Sequence, residues 1–62
     1  MKVHNIHLRL SGSPEGIRYL LRFIQQMQDC RVVEESYLIH NRNSPYYRKY
    51  ITVLMVEEDS DG

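Results

Sequence analysis

The stretch that decides the fold is YYRKYITVLMV, residues 46–56. Its aromatic and β-branched residues favour a strand, and from Ile51 to Val56 it becomes a continuous run of apolar and β-branched residues. A strand that is covered on both faces has this composition, because neither face is left to solvent. We therefore predict that this segment is the central strand of a sheet.

Two other segments have strand character. Residues 4–10 alternate, with Ile6, Leu8 and Leu10 on one side, a period of two that is typical of a half-buried strand. Residues 31–40 alternate less regularly. We predict that these segments are the first and second strands, and that residues 46–56 are the third.

A helix is predicted between the first two strands. Ser13 is a suitable N-cap, and Pro14 suits the first helical position, so the helix should begin at Pro14 and end near Asp29. Arg18 and Arg22 fall on its solvent face. Apolar residues recur at spacings of three and four, as an amphipathic helix requires, at Ile17, Leu20, Leu21, Ile24 and Met27.

This order predicts an α+β fold, a split β-α-β-β unit with a three-stranded sheet in the order 1-3-2 and one helix packed on one face. The third strand offers apolar side chains to both faces, so the face without the helix needs another cover. A homodimer would supply it, either through the open sheet face or by pairing edge strands. The alternative is a monomer whose long side chains lie over the apolar patch.

The length of the chain and the distribution of its charges predict a single domain followed by an acidic C-terminal tail. We assign residues 1–56 to a single domain and residues 57–62 to an acidic, flexible C-terminal tail. The formal net charge of the 62 residues is zero, yet residues 1–56 carry eight basic and four acidic groups. A chain of this length buries only about 60% of the surface that its unfolded form exposes, so its stability should be marginal.

The single cysteine, Cys30, excludes an internal disulfide and is interpreted as a reduced, structural thiol. We therefore expect a cytoplasmic protein. No apolar run approaches the roughly 20 residues that span a bilayer, and residues 1–5 lack the layout of a signal peptide. We expect no membrane partner.

Candidate catalytic and metal-binding groups are few. The histidines and Cys30 lack the spacings of common metal sites, and His4 and His7, three apart, should point to opposite faces of a strand. We therefore predict no catalytic residue, no metal and no cofactor, and expect a protein that is not an enzyme.

The strongest chemical signal is a set of basic residues interleaved with tyrosines around the predicted hairpin. Guanidinium groups clamp phosphates, and exposed aromatic rings stack on unpaired bases. Turn chemistry explains the Asn, Ser and Pro residues of the same loop, so a purely structural role and a protein contact remain open beside nucleic-acid binding. The candidate binding residues are Arg42, Tyr46, Tyr47, Arg48, Lys49 and Tyr50, with Arg18 and Arg22 as a secondary basic face.

At these residues the chain resembles a family of very short bacterial proteins of unknown function. The shared features are a first strand that ends in a small-residue and glycine turn, an amphipathic helix, and a polar, tyrosine-rich hairpin. The residues that carry the resemblance are Leu10, Ser11, Gly12, Ser36, Tyr37, Asn41, Arg42, Ser44, Tyr46 or Tyr47, Arg48 and Tyr50. The resemblance implies the β-α-β-β arrangement and no reaction.

Together these observations predict a small, non-enzymatic, homodimeric binding or regulatory module that acts through its hairpin surface. The expected partner is another protein or a second copy of the chain. The alternative is a protein that binds single-stranded nucleic acid or RNA.

Overall fold

The computed structural model of the chain describes residues 1–58 and has one helix within them. The α+β class is confirmed. The elements in chain order are β1 (Lys2–Gly12), α1 (Pro14–Gln25), β2 (Cys30–Glu35), β3 (Ile39–His40) and β4 (Tyr47–Glu57). β4 lies between β1 and β2 and is antiparallel to both, and β3 pairs with β4 beyond the end of β2.

The predicted three-stranded sheet in the order 1-3-2 is not matched exactly, because the segment predicted as the second strand forms two strands. A register shift interrupts β2 between Val32 and Glu34. At Ser36 the side chain replaces a backbone carbonyl in the ladder: Tyr50 N donates to Ser36 Oγ at 3.0 Å, while Ser36 N donates to Tyr50 O at 2.9 Å. The chain then leaves the sheet at Tyr37, whose side chain is 91% exposed.

Helix α1 begins where the sequence predicts and ends earlier. Ser13 is the N-cap, and its Oγ accepts a hydrogen bond from Gly16 N at 3.0 Å. At the other end, Gln26 N donates at 3.2 Å to the carbonyls of both Arg22 and Phe23. This tightening of the last turn closes the helix at Gln25, four residues before the predicted end.

The core lies between α1 and one face of the sheet. Four apolar side chains are buried in the described residues: Ile17, Leu21, Ile51 and Val53. In the sheet, Ile6 lies opposite Val53 and Leu8 lies opposite Ile51, which aligns β1 with the core. Leu20 and Met27, predicted to face the core, are exposed, so the buried face of the helix is narrower than its apolar pattern.

The helix is too short to cover the sheet. β1 and β4 have 11 residues each, which is about 37 Å at about 3.4 Å per residue. α1 has 12 residues and is about 18 Å long at about 1.5 Å per residue. One helix therefore covers one face of the sheet along about half its length.

The predicted acidic tail, residues 57–62, begins inside the fold. Glu57 is the last residue of β4, and His4 Nε2 donates a hydrogen bond to its Oε1 at 2.9 Å. Residues 59–62 lie outside the described residues.

The small core makes stability sensitive to single methyl groups. Ile51→Val should lower the free energy of unfolding by about 0.5–1.5 kcal/mol, because Ile51 is 2% exposed and a cavity would remain. Val33→Ala, at an exposed position, should change it by less than about 0.5 kcal/mol. Urea titration followed by circular dichroism measures both values, and equal losses would contradict the assignment of the core.

Candidate binding surface

The hairpin residues predicted to bind a partner are divided between the two faces of the sheet. Successive side chains of β4 alternate, and residues opposite each other on paired strands share a face. Lys49 lies opposite Leu10, on the face covered by α1, whereas Tyr50 lies opposite Arg9 on the other face. We call this uncovered side the open face.

Tyr47 and Lys49 share the helix-covered face and are occupied by contacts within the chain. The ring of Tyr47 packs against that of His40, with centroids 4.7 Å apart. Lys49 Nζ lies 3.5 Å from Glu35 Oε2, and its side chain is only 14% exposed. These contacts leave little of either side chain for a partner.

Arg42 and Tyr46 lie exposed in the turn between β3 and β4. Asn41 N donates to Tyr46 O at 3.0 Å, and Tyr46 N donates to Ser44 Oγ at 3.1 Å. Asn43 has φ 58°, in the left-handed region that Asn tolerates better than most residues. The turn chemistry predicted for this loop is therefore present.

A side-chain bridge ties this turn to β1. Arg48 Nη1 donates to Asn41 Oδ1 at 2.9 Å, and Asn41 Nδ2 donates to Ser11 Oγ at 3.3 Å. His40 Nε2 also donates to Ser44 O at 2.7 Å. Arg48 thus lies on the open face, opposite Ser11, in an orientation set by Asn41.

The open face carries a cluster of three residues, two of which were predicted from the sequence. Arg9 lies directly opposite Tyr50, and Arg48 lies two residues before Tyr50 on the same strand. We call Arg9, Arg48 and Tyr50 the arginine–tyrosine cluster. Arg9 was not among the predicted site residues, although its place on the polar side of the first strand indicated exposure.

Next to the cluster, His7, Thr52 and Glu34 lie in one row across β1, β4 and β2, and they do not form a catalytic relay. His7 Nδ1 and Thr52 Oγ1 lie 2.9 Å apart, within hydrogen-bond distance. Glu34 lies opposite Thr52 on the far side of β4, so two strand spacings, about 10 Å, separate its backbone from that of His7. A carboxylate that orients the imidazole, as in nucleophile–histidine–acid sites, is therefore not in place in this row.

Arg18 and Arg22 are exposed on α1, on the opposite side of the sheet from the arginine–tyrosine cluster. The structure therefore does not bring the predicted secondary basic face together with the hairpin arginine Arg48. A binding role of Arg18 and Arg22 therefore has to be tested separately from a binding role of Arg48.

Metal binding and membrane crossing were also considered for the described part of the chain. Among residues 1–58, no group of three or more His, Cys, Asp or Glu side chains is placed to hold a metal ion. Within the same residues, no helix combines the length and the apolar character that crossing a membrane requires. Comparison of the chain with protein-family models, curated proteins and solved structures finds no match.

The left-handed backbone at Asn43 gives a local test of the turn. Asn43→Ala should cost about 1 kcal/mol of stability relative to Asn43→Gly, because a Cβ without a polar side chain is disfavoured at positive φ. Chemical unfolding of the two variants measures the difference. Equal stability would show that this turn geometry is not populated in solution.

Proposed function

We propose that this chain is a non-catalytic binding module that works as a homodimer. The observation that carries the proposal is that an unpaired strand edge and an exposed apolar surface lie on the same side of the domain. One is the outer edge of β1, and the other is a stripe of exposed apolar side chains on α1.

The outer edge of β1 is long and unprotected. β1 pairs with β4 alone among the described strands, in a continuous register of 11 residue pairs, and contains no proline. On the opposite edge of the sheet, β2 is short and its register shifts after Val32. Regular edges of this length invite pairing with another strand, whereas bulges and breaks discourage it.

The apolar stripe of α1 consists of Tyr19, Leu20 and Phe23, all exposed. Leu20 lines a shallow groove with Leu10 of β1, whereas Gln25 lines another groove with residues of β2. Since one turn takes 3.6 residues, Phe23 lies near Leu20 and away from Gln25. The stripe therefore flanks the β1 edge.

Pairing β1 with the β1 of a second copy satisfies both surfaces at once. An antiparallel pair about a twofold axis joins the two sheets into one and places both helices on the same face. The two stripes then face each other across the seam. Such isologous contacts are the commonest in soluble oligomers, because one patch serves both partners.

The open face is a poorer dimer contact than the β1 edge. Its strand positions hold three arginines, Arg9, Arg31 and Arg48, and a single acid, Glu34. Packing two open faces together would desolvate these charges and bring like charges together. Of the two dimer modes predicted from sequence, edge pairing is favoured.

Phe23→Glu tests the dimer. Phe23 is 56% exposed within one copy, so the change should leave the fold intact while placing two carboxylates at the seam. The dimer dissociation constant should rise at least about tenfold, as for loss of an aromatic hot spot. Sedimentation equilibrium at micromolar concentration should give twice 7.4 kDa for the unmodified chain and a lower mass for the variant.

Gln25→Glu is the matched control, because it adds the same charge to the side of α1 that faces β2. It should sediment like the unmodified chain. An unmodified chain of 7.4 kDa at every concentration would overturn the proposal.

A further inference from the structure

We propose that the open face binds single-stranded nucleic acid, with a base stacked on Tyr50 and phosphates held by Arg9 and Arg48. This inference rests on the proposed function in that it names the ligand of the binding module. It uses a surface that the proposed dimer leaves exposed.

The geometry of the arginine–tyrosine cluster suits such a ligand. Tyr50 is 45% exposed at the centre of the sheet. Arg9 lies across from it at about 5 Å between Cα atoms, and Arg48 lies about 7 Å along the strand. Arginine positions therefore flank Tyr50 on two sides of the open face, and a stacking ring beside cationic side chains is the combination used for single strands.

The charge of the open face complements a polyanion. The three arginines at its strand positions outnumber its single acid, Glu34. Within the described residues, the side chains of Arg9 and Arg31 have no hydrogen-bond or ion-pair partner, and Arg48 uses only one of its N–H groups on Asn41. Each guanidinium group thus keeps donors for phosphate oxygens.

Two members of the cluster, Arg48 and Tyr50, are positioned by contacts within the chain before a ligand arrives. Asn41 orients Arg48, and two hydrogen bonds with Ser36 fix the backbone of Tyr50. Binding then orders fewer groups, which lowers its entropic cost. The hydrogen bond to Asn41 distinguishes Arg48 from the exposed Arg42 of the turn.

The exposed ring favours a single strand over a duplex. Stacking on Tyr50 needs a base with a free face, which paired bases within a helix do not offer. An acidic protein would satisfy the arginines without needing the ring. The contribution of Tyr50 therefore separates the three ligand classes.

The dimer would extend this surface. Arg9 lies on β1, the strand at the proposed seam, so the two copies would place their Arg9 side chains on one continuous open face. The cluster itself is complete within one chain. A monomeric variant should therefore retain binding through a single cluster.

Fluorescence anisotropy with labelled oligodeoxythymidine and oligouridine of about 12 nucleotides tests the inference. Tyr50→Ala should weaken binding by about tenfold, and Tyr50→Phe should retain it, because the ring stacks without its hydroxyl. Arg9→Ala should weaken binding and reduce the slope of affinity against salt concentration by about 1. Arg22→Ala, which removes the same charge from α1, should change affinity by less than about twofold.

Three outcomes would overturn the inference. They are no binding at about 50 mM salt, equal affinity for a duplex, and equal affinity of the unmodified chain and Tyr50→Ala. Stronger binding to polyglutamate than to the oligonucleotides would point instead to an acidic protein partner.

The oligonucleotide titrations and the sedimentation masses together separate this inference from the dimer. A monomeric chain that binds through Tyr50 would contradict the dimer and support the site. A dimer that binds no oligonucleotide would support the dimer and contradict the site.

Discussion

The main constraint on this structure is that its helix covers only a small part of the sheet. One helix of about 18 Å packs on strands of about 37 Å, and it reaches one face only. Among residues 1–58, the buried apolar core therefore consists of four side chains between α1 and the sheet, among them Ile17 and Ile51. Because burial of apolar surface is the main stabilising term in folding, the remaining apolar groups indicate where a further contact would add stability.

Periodicity predicted the parts of the fold in which one local pattern dominates. The alternation of β1, the cap at Ser13 and the apolar run of β4 each follow from neighbouring residues, and each is present. The break between β2 and β3 was missed because it depends on the Ser36 side chain bonding to another strand. Leu20 was predicted to face the core because an apolar period cannot tell a core-facing position from an exposed one beside it.

The candidate site shows the same limit. Alternation along β4 explains why Tyr47 and Lys49 share one face while Arg48 and Tyr50 share the other. Arg9 and Tyr50 are 41 positions apart in sequence, and they lie opposite each other only because of the register between β1 and β4, which no local pattern encodes. The hairpin pattern thus identified two of the three cluster residues, Arg48 and Tyr50. The third, Arg9, lies on the first strand.

Different surfaces have different proposed roles: we propose that the β1 edge and the helix stripe contact a second copy, and that the open face binds a ligand. The most direct test of the central claim is hydrogen exchange of the β1 amides, followed by NMR at increasing protein concentration. Amides of Lys2–Gly12 that point away from β4 should become protected as concentration rises, whereas those that bond to β4 should be protected at every concentration. If the outward amides exchange as freely as exposed amides at every concentration, β1 pairs with no second copy.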